Sequence, residues 1–269
     1  MFEKETMSSF APAPVLFISH GAPTFATEPA TLGPLLRNLG QQLHDVRAVL
    51  VVSPHWQTRG VEVMTTATPV TVHDFGGFPA ALYQLQYPAH GQPQLAEEVA
   101  QLLTEAGWPV THDTQRGLDH GAWVPLMHLL PQADVPVFQV SMPYNLNPAS
   151  ALQLGRALSA MRAQGVLVLA SGSMTHNLYE FRQLGAAAED YAIEFTQWVR
   201  DKVRSHDTDH LIDYRRLAPH AQRAHPTEEH FLPLLVALGA VSADEPVQVL
   251  NGGVDHRVLS MESYAWGVA

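Results

Sequence analysis

The sequence predicts an α/β domain built on a central, mainly parallel or mixed sheet with helices on both faces. Three observations carry that expectation. Short apolar runs rich in β-branched residues alternate with longer amphipathic segments along the 269-residue chain, the order expected when helices cover a sheet. The short runs are almost continuously apolar, as suits strands buried on both faces. Three of them lead directly into a histidine: VLFISHG (Val15–Gly21), VVSPHW (Val51–Trp56) and LVLASGSMTH (Leu167–His176). In open α/β sheets, ligands bind at the carboxyl ends of the strands, so this is where such a fold would place a site.

Taken in order, strands are expected over Val15–Ile18, Ala48–Val52 and Val61–Thr65. Next, PQLAEEVAQLLTE (Pro93–Glu105) sets Leu95, Val99 and Leu102 at helical spacing, with Gly107 as a stop. A strand over Val135–Val140 follows, then a helix over Pro148–Ala163 closed by Gly165, and a strand over Val166–Ala170. The segment Asp190–Val203 carries Ile193, Phe195, Trp198 and Val199 on a broad apolar face and reads as another helix. No Ser/Gly linker, internal repeat or low-complexity tract interrupts the pattern. A single domain over 14–269 is therefore expected, preceded by a poorly ordered extension over 1–13. The segment HDFGGFPAALYQLQYPAHG (His73–Gly91) reads as a long shaped loop, and such loops inside a domain are usually functional.

Composition excludes several classes of partner. A formal charge of -11 with no basic run argues against nucleic acid and anionic membranes. No apolar stretch is long enough to span a bilayer, and the first residues lack the apolar core of a signal peptide. The expectation is a soluble, cytoplasmic protein, a monomer or homodimer acting on small molecules. Cysteine is absent, which removes disulfides, thiolate metal sites and thiol nucleophiles. Histidine is abundant: 15 residues, as many as Lys and Arg together. It is the commonest protein metal ligand and a frequent acid or base.

Most of these histidines should be ordinary surface residues; His44, His206 and His210 stand in polar, helix-end contexts and read as solvated. His20 and His55 each sit beside a Gly or Pro that fixes a turn. Alone, either could cap a strand end; together with His176 they read as a metal site for Fe(II) or Zn(II), which accepts imidazole nitrogens. A third ligand would come from HPTEEHFLPLL (His225–Leu235), where Thr227 resembles an N-cap and His230 would occupy the first turn of an apolar helix. His225 and Glu229 are rivals that spacing does not separate. In GLDHGAW (Gly117–Trp123), His120 reads either as a substrate-facing group or as an exposed residue behind an Asp119 N-cap. His73 and Asp74, in HDFGGFP, are open to the same two readings.

The segments SHGAP, SPHW, HDFGGFP, GLDHGAW, SGSMTHNL and HPTEEHFLPLL, in this order, resemble the DOPA 4,5-dioxygenase family of extradiol ring-cleaving dioxygenases. Its broader class is typified by the catalytic subunit of protocatechuate 4,5-dioxygenase. The resemblance runs from about Val15 to the C-terminus. Two departures are Ala22, where relatives commonly carry Ser, and Pro54, where many have Ala; neither removes an imidazole.

The resemblance implies an enzyme that cleaves the ring of a DOPA-like catechol with dioxygen, yielding a ring-opened semialdehyde. It implies a non-haem metal on His20, His55 and His230, with Fe(II) for catalysis and Zn(II) a plausible bound metal. His176 is then the acid/base or a possible fourth ligand, and His120 a second catalytic group. Phe75, His73 and Trp123 are expected to contact the substrate, with no Arg or Lys inside the motifs; Arg59 and Arg116 are the nearest. Modest discrimination by substituent charge is expected to follow. Two other functions fit the same residues: a zinc-dependent hydrolase, and a non-catalytic metal-binding regulatory protein.

Overall fold

The chain is described here by a computed structural model covering residues 12–268. Of the expected extension over 1–13, residues 1–11 lie outside the described residues. Ten strands are present among the described residues: β1 (Val15–Ser19), β2 (Ala48–Thr58), β3 (Val61–Met64), β4 (Val110–Asp113), β5 (Val137–Pro143), β6 (Val166–Gly172), β7 (Val247–Leu250), β8 (Val254–Asp255), β9 (Leu259–Ser260) and β10 (Ser263–Trp266). Eight of them form one sheet in the order β4-β3-β5-β2-β6-β1-β10-β7, and β8 pairs with β9. The central block β5-β2-β6-β1 is parallel throughout, whereas β3 on β5, and β10 on β1 and β7, are antiparallel. The sheet is therefore mixed around a parallel centre.

Every residue of β1 and β6 is buried, which is what their unbroken apolar runs require. The helices are α1 (Leu32–Gly40), α2 (Pro93–Glu105), α3 (His120–Leu129), α4 (Pro148–Leu158), α5 (Asp190–Arg204), the short turns α6 (Thr208–Ile212), α7 (Tyr214–Leu217) and α8 (Ala221–Ala224), and α9 (Leu232–Ala240). Consecutive residues of β6 show the two faces of the sheet. Ser171 turns to α3 and bonds the Gly121 carbonyl, while Gly172 lies against Pro233 of α9. Such alternation is inherent to a strand.

The helix expected over Pro148–Ala163 ends its α-helical part at Leu158 and tightens into a 3-10 turn over Ser159–Gln164, closed by Gly165 at φ 79°. There Arg162 is buried and donates to the carbonyls of Ala13 and Ala240, fixing that turn beneath the start of β1. The sequence reading did not include α1, α3, β4, the short turns α6 to α8 or the strands after residue 246. Helix α3 is buried all round and contains Pro125, so it shows neither a 3.6-residue period nor an uninterrupted run. Among the described residues no helix is long and apolar enough to cross a membrane.

Helices α4 and α9 touch backbone to backbone where a Cβ on Gly155 would stand 1.9 Å from the Val236 carbonyl oxygen. Gly→Ala inside a helix normally stabilises by up to about 1 kcal/mol. Here the sign should reverse, with Gly155→Ala destabilising by about 1–3 kcal/mol through overpacking. Urea unfolding of the two proteins measures that sign directly.

Candidate active site

The parallel strands β1, β2 and β6 open their carboxyl ends at one edge of the sheet. His20 extends β1 by one step, its amide donating to the Gly172 carbonyl at 2.9 Å. The chain then turns sharply at Gly21, whose φ of +65° disfavours a side chain and whose Cα faces Met261. His55 lies within β2 rather than past its end. Pairing with β5 breaks between Val52–Val140 and Gln57–Met142, and Pro54, which lacks an N–H, sits in that irregularity. His176 stands four residues beyond β6, held by its amide on the Ala224 carbonyl at 2.8 Å. His230 precedes α9 instead of occupying its first turn, because the helix starts at Leu232 with Pro233 in its first positions. Thr227 is no N-cap; its hydroxyl meets the Glu229 carboxylate at 2.9 Å.

These elements bring His20, His55 and His230 together, with one nitrogen of each within 4.8 Å of the other two. The Nε2 atoms of His20 and His55 face each other at 3.1 Å. The buried Nε2 of His230 has no hydrogen-bond partner. His120 joins the group, its ring centroid 3.9 Å from that of His55. His176 stacks flat on His230, with centroids 3.5 Å apart and planes at 8°; its ligating atom groups with His230 and Glu229 rather than with His20 and His55. Of the two rivals, His225 is turned away: its Nε2 lies 2.9 Å from the Met174 carbonyl, and its ring packs among Phe195 and Phe231.

The neighbours of each Nδ1 decide which nitrogen is free. Ser171 Oγ lies 2.5 Å from the Gly121 carbonyl and 2.9 Å from His20 Nδ1. A carbonyl only accepts, so the hydroxyl donates to it and must accept from His20 Nδ1–H. His20 Nε2 is thereby left with a lone pair. The carbonyl is available because Pro125, four residues on, has no N–H to give it. His230 Nδ1 donates to Glu229 at 3.1 Å. Asp74 accepts from both Nδ1 and the amide of His120 at 2.9 Å, and its other oxygen stands 3.7 Å from His55 Nδ1. The Nδ1 atoms of His20, His120 and His230 are thus held by groups outside the cluster, and Asp74 stands behind that of His55, the usual arrangement around metal-binding histidines. The buried, unpartnered nitrogen of His230 and a donor set of neutral imidazoles fit a divalent transition metal.

Burial sets the charge state. It pushes His20 and His230 well below the ordinary histidine value, with the neighbouring imidazoles adding to the effect. His55 and His176 are lowered to about 4, chiefly by burial. Burial alone would raise Asp74, but its bonds and charge interaction with His120 bring it down to about 2. Near neutral pH His20, His55, His176 and His230 are therefore uncharged, beside an ionised Asp74.

The imidazoles form the floor of a cavity of about 430 Å³, walled by Gly21, Ala22, Pro23, Phe75, Phe78, Leu178, Phe181 and Leu259. Of the three expected substrate contacts only Phe75 reaches it. Trp123 is fully buried and donates its indole N–H to the Val72 carbonyl at 2.9 Å. His73 bonds the Leu85 carbonyl at 3.0 Å and packs edge-on against Trp123 and Phe75. Both rings pack near Phe75, and neither lines this cavity. Asp119 is indeed an N-cap, accepting from the Ala122 amide at 3.2 Å, yet His120 is buried rather than exposed. Arg116 pairs with Asp119 at 3.0 Å and stacks over Trp56; Arg59 is exposed, and neither lines the cavity. Sequence reasoning missed Ser171 and the part played by Glu229. Ser171 lay inside a quoted motif, but only the carbonyl freed by Pro125 makes its position meaningful.

Residues 15–266 match the family model described as the catalytic LigB subunit of aromatic ring-opening dioxygenase. The chain belongs to that family. It is 37% identical to 4,5-DOPA dioxygenase extradiol of Escherichia coli K12, over 98% of each chain. Its identity to the protein of that name from Beta vulgaris is 36%, over 92% of this chain and 94% of that one. The fold matches the crystal structure of an uncharacterized protein of Escherichia coli K12 with a TM-score of 0.79 at 32% identity, covering 94% of this chain and 99% of that one. The segments that carried the family resemblance in the sequence all lie within the matched region, and they contribute all five site histidines.

One consequence of the burial concerns acid stability. His225, fully buried, is lowered to about 3, chiefly by desolvation. The folded state therefore binds fewer protons than the unfolded one, and stability is lost as pH falls below about 6.5. At pH 5 this group alone should cost the metal-free protein about 2 kcal/mol relative to pH 7.5. His225→Gln, which keeps a donor for Met174, should retain that amount; urea midpoints at the two pH values measure it.

Proposed function

We propose that this protein is a metal-dependent extradiol dioxygenase that opens the ring of a catechol. In this reading His20, His55 and His230 hold a non-haem Fe(II), with Zn(II) able to take the same place. The observation that carries it is the inward convergence of three neutral imidazoles, each with its Nδ1 facing a group outside the ring, in a member of an aromatic ring-opening family. Bound there, Fe(II) would supply Lewis acidity toward a catechol hydroxyl and the redox chemistry that dioxygen requires.

The protein's own groups supply the rest. His176 is neutral near pH 7 and takes the proton of the catechol hydroxyl. The carboxylate of Glu229, which favours the charged form of His176, stabilises the imidazolium that results. That imidazolium can then return the proton to an oxygen of the opening ring. His120, its Nδ1–H held by Asp74, presents Nε2 as an acceptor for a substrate hydroxyl. Phe75 and Phe78 flank a flat ring and displace water from it. The position of His176, stacked on His230 outside the group of three, supports acid/base work over a fourth ligand.

His176→Ala should keep one equivalent of metal and lose turnover by roughly 10²–10⁴-fold, whereas His55→Ala should lose the metal. Metal analysis beside oxygen uptake with a catechol reads both, and equal metal loss would make His176 a ligand. A protein that binds metal but consumes no oxygen with any catechol would favour the hydrolase or the binding protein.

Ser171→Ala should fold, because the side chain lost is small, but weaken metal binding by roughly 10- to 100-fold. Competition against a chelator measures this without turnover. Unchanged affinity would show that Ser171 does not position His20.

A further inference from the structure

We infer that this site takes catechols with an apolar substituent at the position leading out of the cavity, and that it handles the zwitterionic side chain of DOPA poorly. The inference deepens the ring-cleavage reading and rests on it. A cavity of about 430 Å³ has more room than a bare ring needs, so a substituent would lie against the walls above the imidazoles. Those walls are Pro23, Phe75, Phe78, Phe181, Leu259 and, at the lip, Leu178, which is 58% exposed. Among the described residues, no Lys, Arg, Asp or Glu lines the cavity.

Among the described residues, three of the four arginines on segments next to the cavity are paired with carboxylates. Arg223 is paired with Glu180 and Glu189 at 2.6 and 3.0 Å. Arg257 is paired with Glu189, and Arg116 with the fully buried Asp119. Arg182 is exposed and turns its guanidinium back to the Phe181 carbonyl at 2.7 Å. A carboxylate and an ammonium lying against these walls would shed water without gaining a charged partner from the lining itself. An alkyl chain would instead bury its surface against Leu178, Phe181 and Leu259, gaining about fourfold in affinity per methylene.

The test uses the Fe(II)-loaded full chain under air, with kcat/KM for 4-methyl-, 4-ethyl- and 4-propylcatechol and for DOPA. The Zn(II)-loaded protein, titrated calorimetrically with the same compounds, gives their affinities without turnover. Both series should rise by roughly fourfold per methylene, and 4-propylcatechol should exceed DOPA by at least about tenfold. Leu178→Arg, a change at an exposed position, should shift the ratio about tenfold toward DOPA. Equal or better handling of DOPA by the unaltered protein overturns the inference. If Arg182→Ala then removed that advantage, the missing anchor would be Arg182. Failure to bind or cleave any catechol overturns the ring-cleavage reading and this inference with it; a DOPA preference overturns the inference alone.

Discussion

Three imidazoles can turn their Nε2 lone pairs toward one spot only where each Nδ1 faces a group outside the cluster, and much of this fold serves that arrangement. The most indirect case is His20. Pro125 cannot donate to Gly121, so the Gly121 carbonyl is free to take the Ser171 hydroxyl, which then accepts from His20. A proline in a helix on one face of the sheet thus sets the tautomer of a histidine at the end of β1. Gly121 has to be glycine for this geometry, since a Cβ there would lie 2.4 Å from Ser53 Oγ and 3.0 Å from the His55 ring.

The N-terminus of α3 is fixed with equal care. Asp119 is fully buried and accepts from Ser53, Gln139, Arg116 and the Ala122 amide. A buried carboxylate is tolerable only when its oxygens are satisfied in this way. The four donors come from β2, β5, the preceding loop and α3 itself, so one anion ties the irregular part of β2 to the helix that carries His120. Arg116, which from the sequence was a candidate anchor for a substrate carboxylate, is consumed by this structural role. Its second contact, to the His55 carbonyl at 3.4 Å, keeps it there.

What the sequence disclosed follows from the same physics. Strands β1, β2 and β6 are buried on both faces, so their composition was unmistakable, and the histidines at their ends could be read from position alone. Helix Pro93–Glu105 half-faces solvent and was delimited to the residue. Helix α3 has no polar face to produce a period, so the sequence left the setting of its N-terminal histidine open between two readings. His230 was assigned to a helix that begins two residues later, because a threonine followed by acids imitates a capped start. That Phe75 reaches the cavity while His73 and Trp123 pack near it is set by tertiary packing, which local sequence does not display.

The charges also explain how one pocket can be suited to a metal and yet apolar. The carboxylates Asp74 and Glu229 lie behind the imidazoles, raising the basicity of the rings they touch while facing away from the cavity. Asp74 serves two rings at once, one at 2.9 Å and the other at 3.7 Å, while His20 has only a neutral hydroxyl behind it. A bound cation would therefore find compensating negative charge one layer out, on the His55 and His230 side. Nothing anionic would stand in the path of a diol approaching from the mouth. The chain's excess of acid, which argued against nucleic acid as partner, is thus partly placed where it helps imidazoles act as ligands. Among the described residues, the walls above them are left to hydrocarbon and carry no charged side chain.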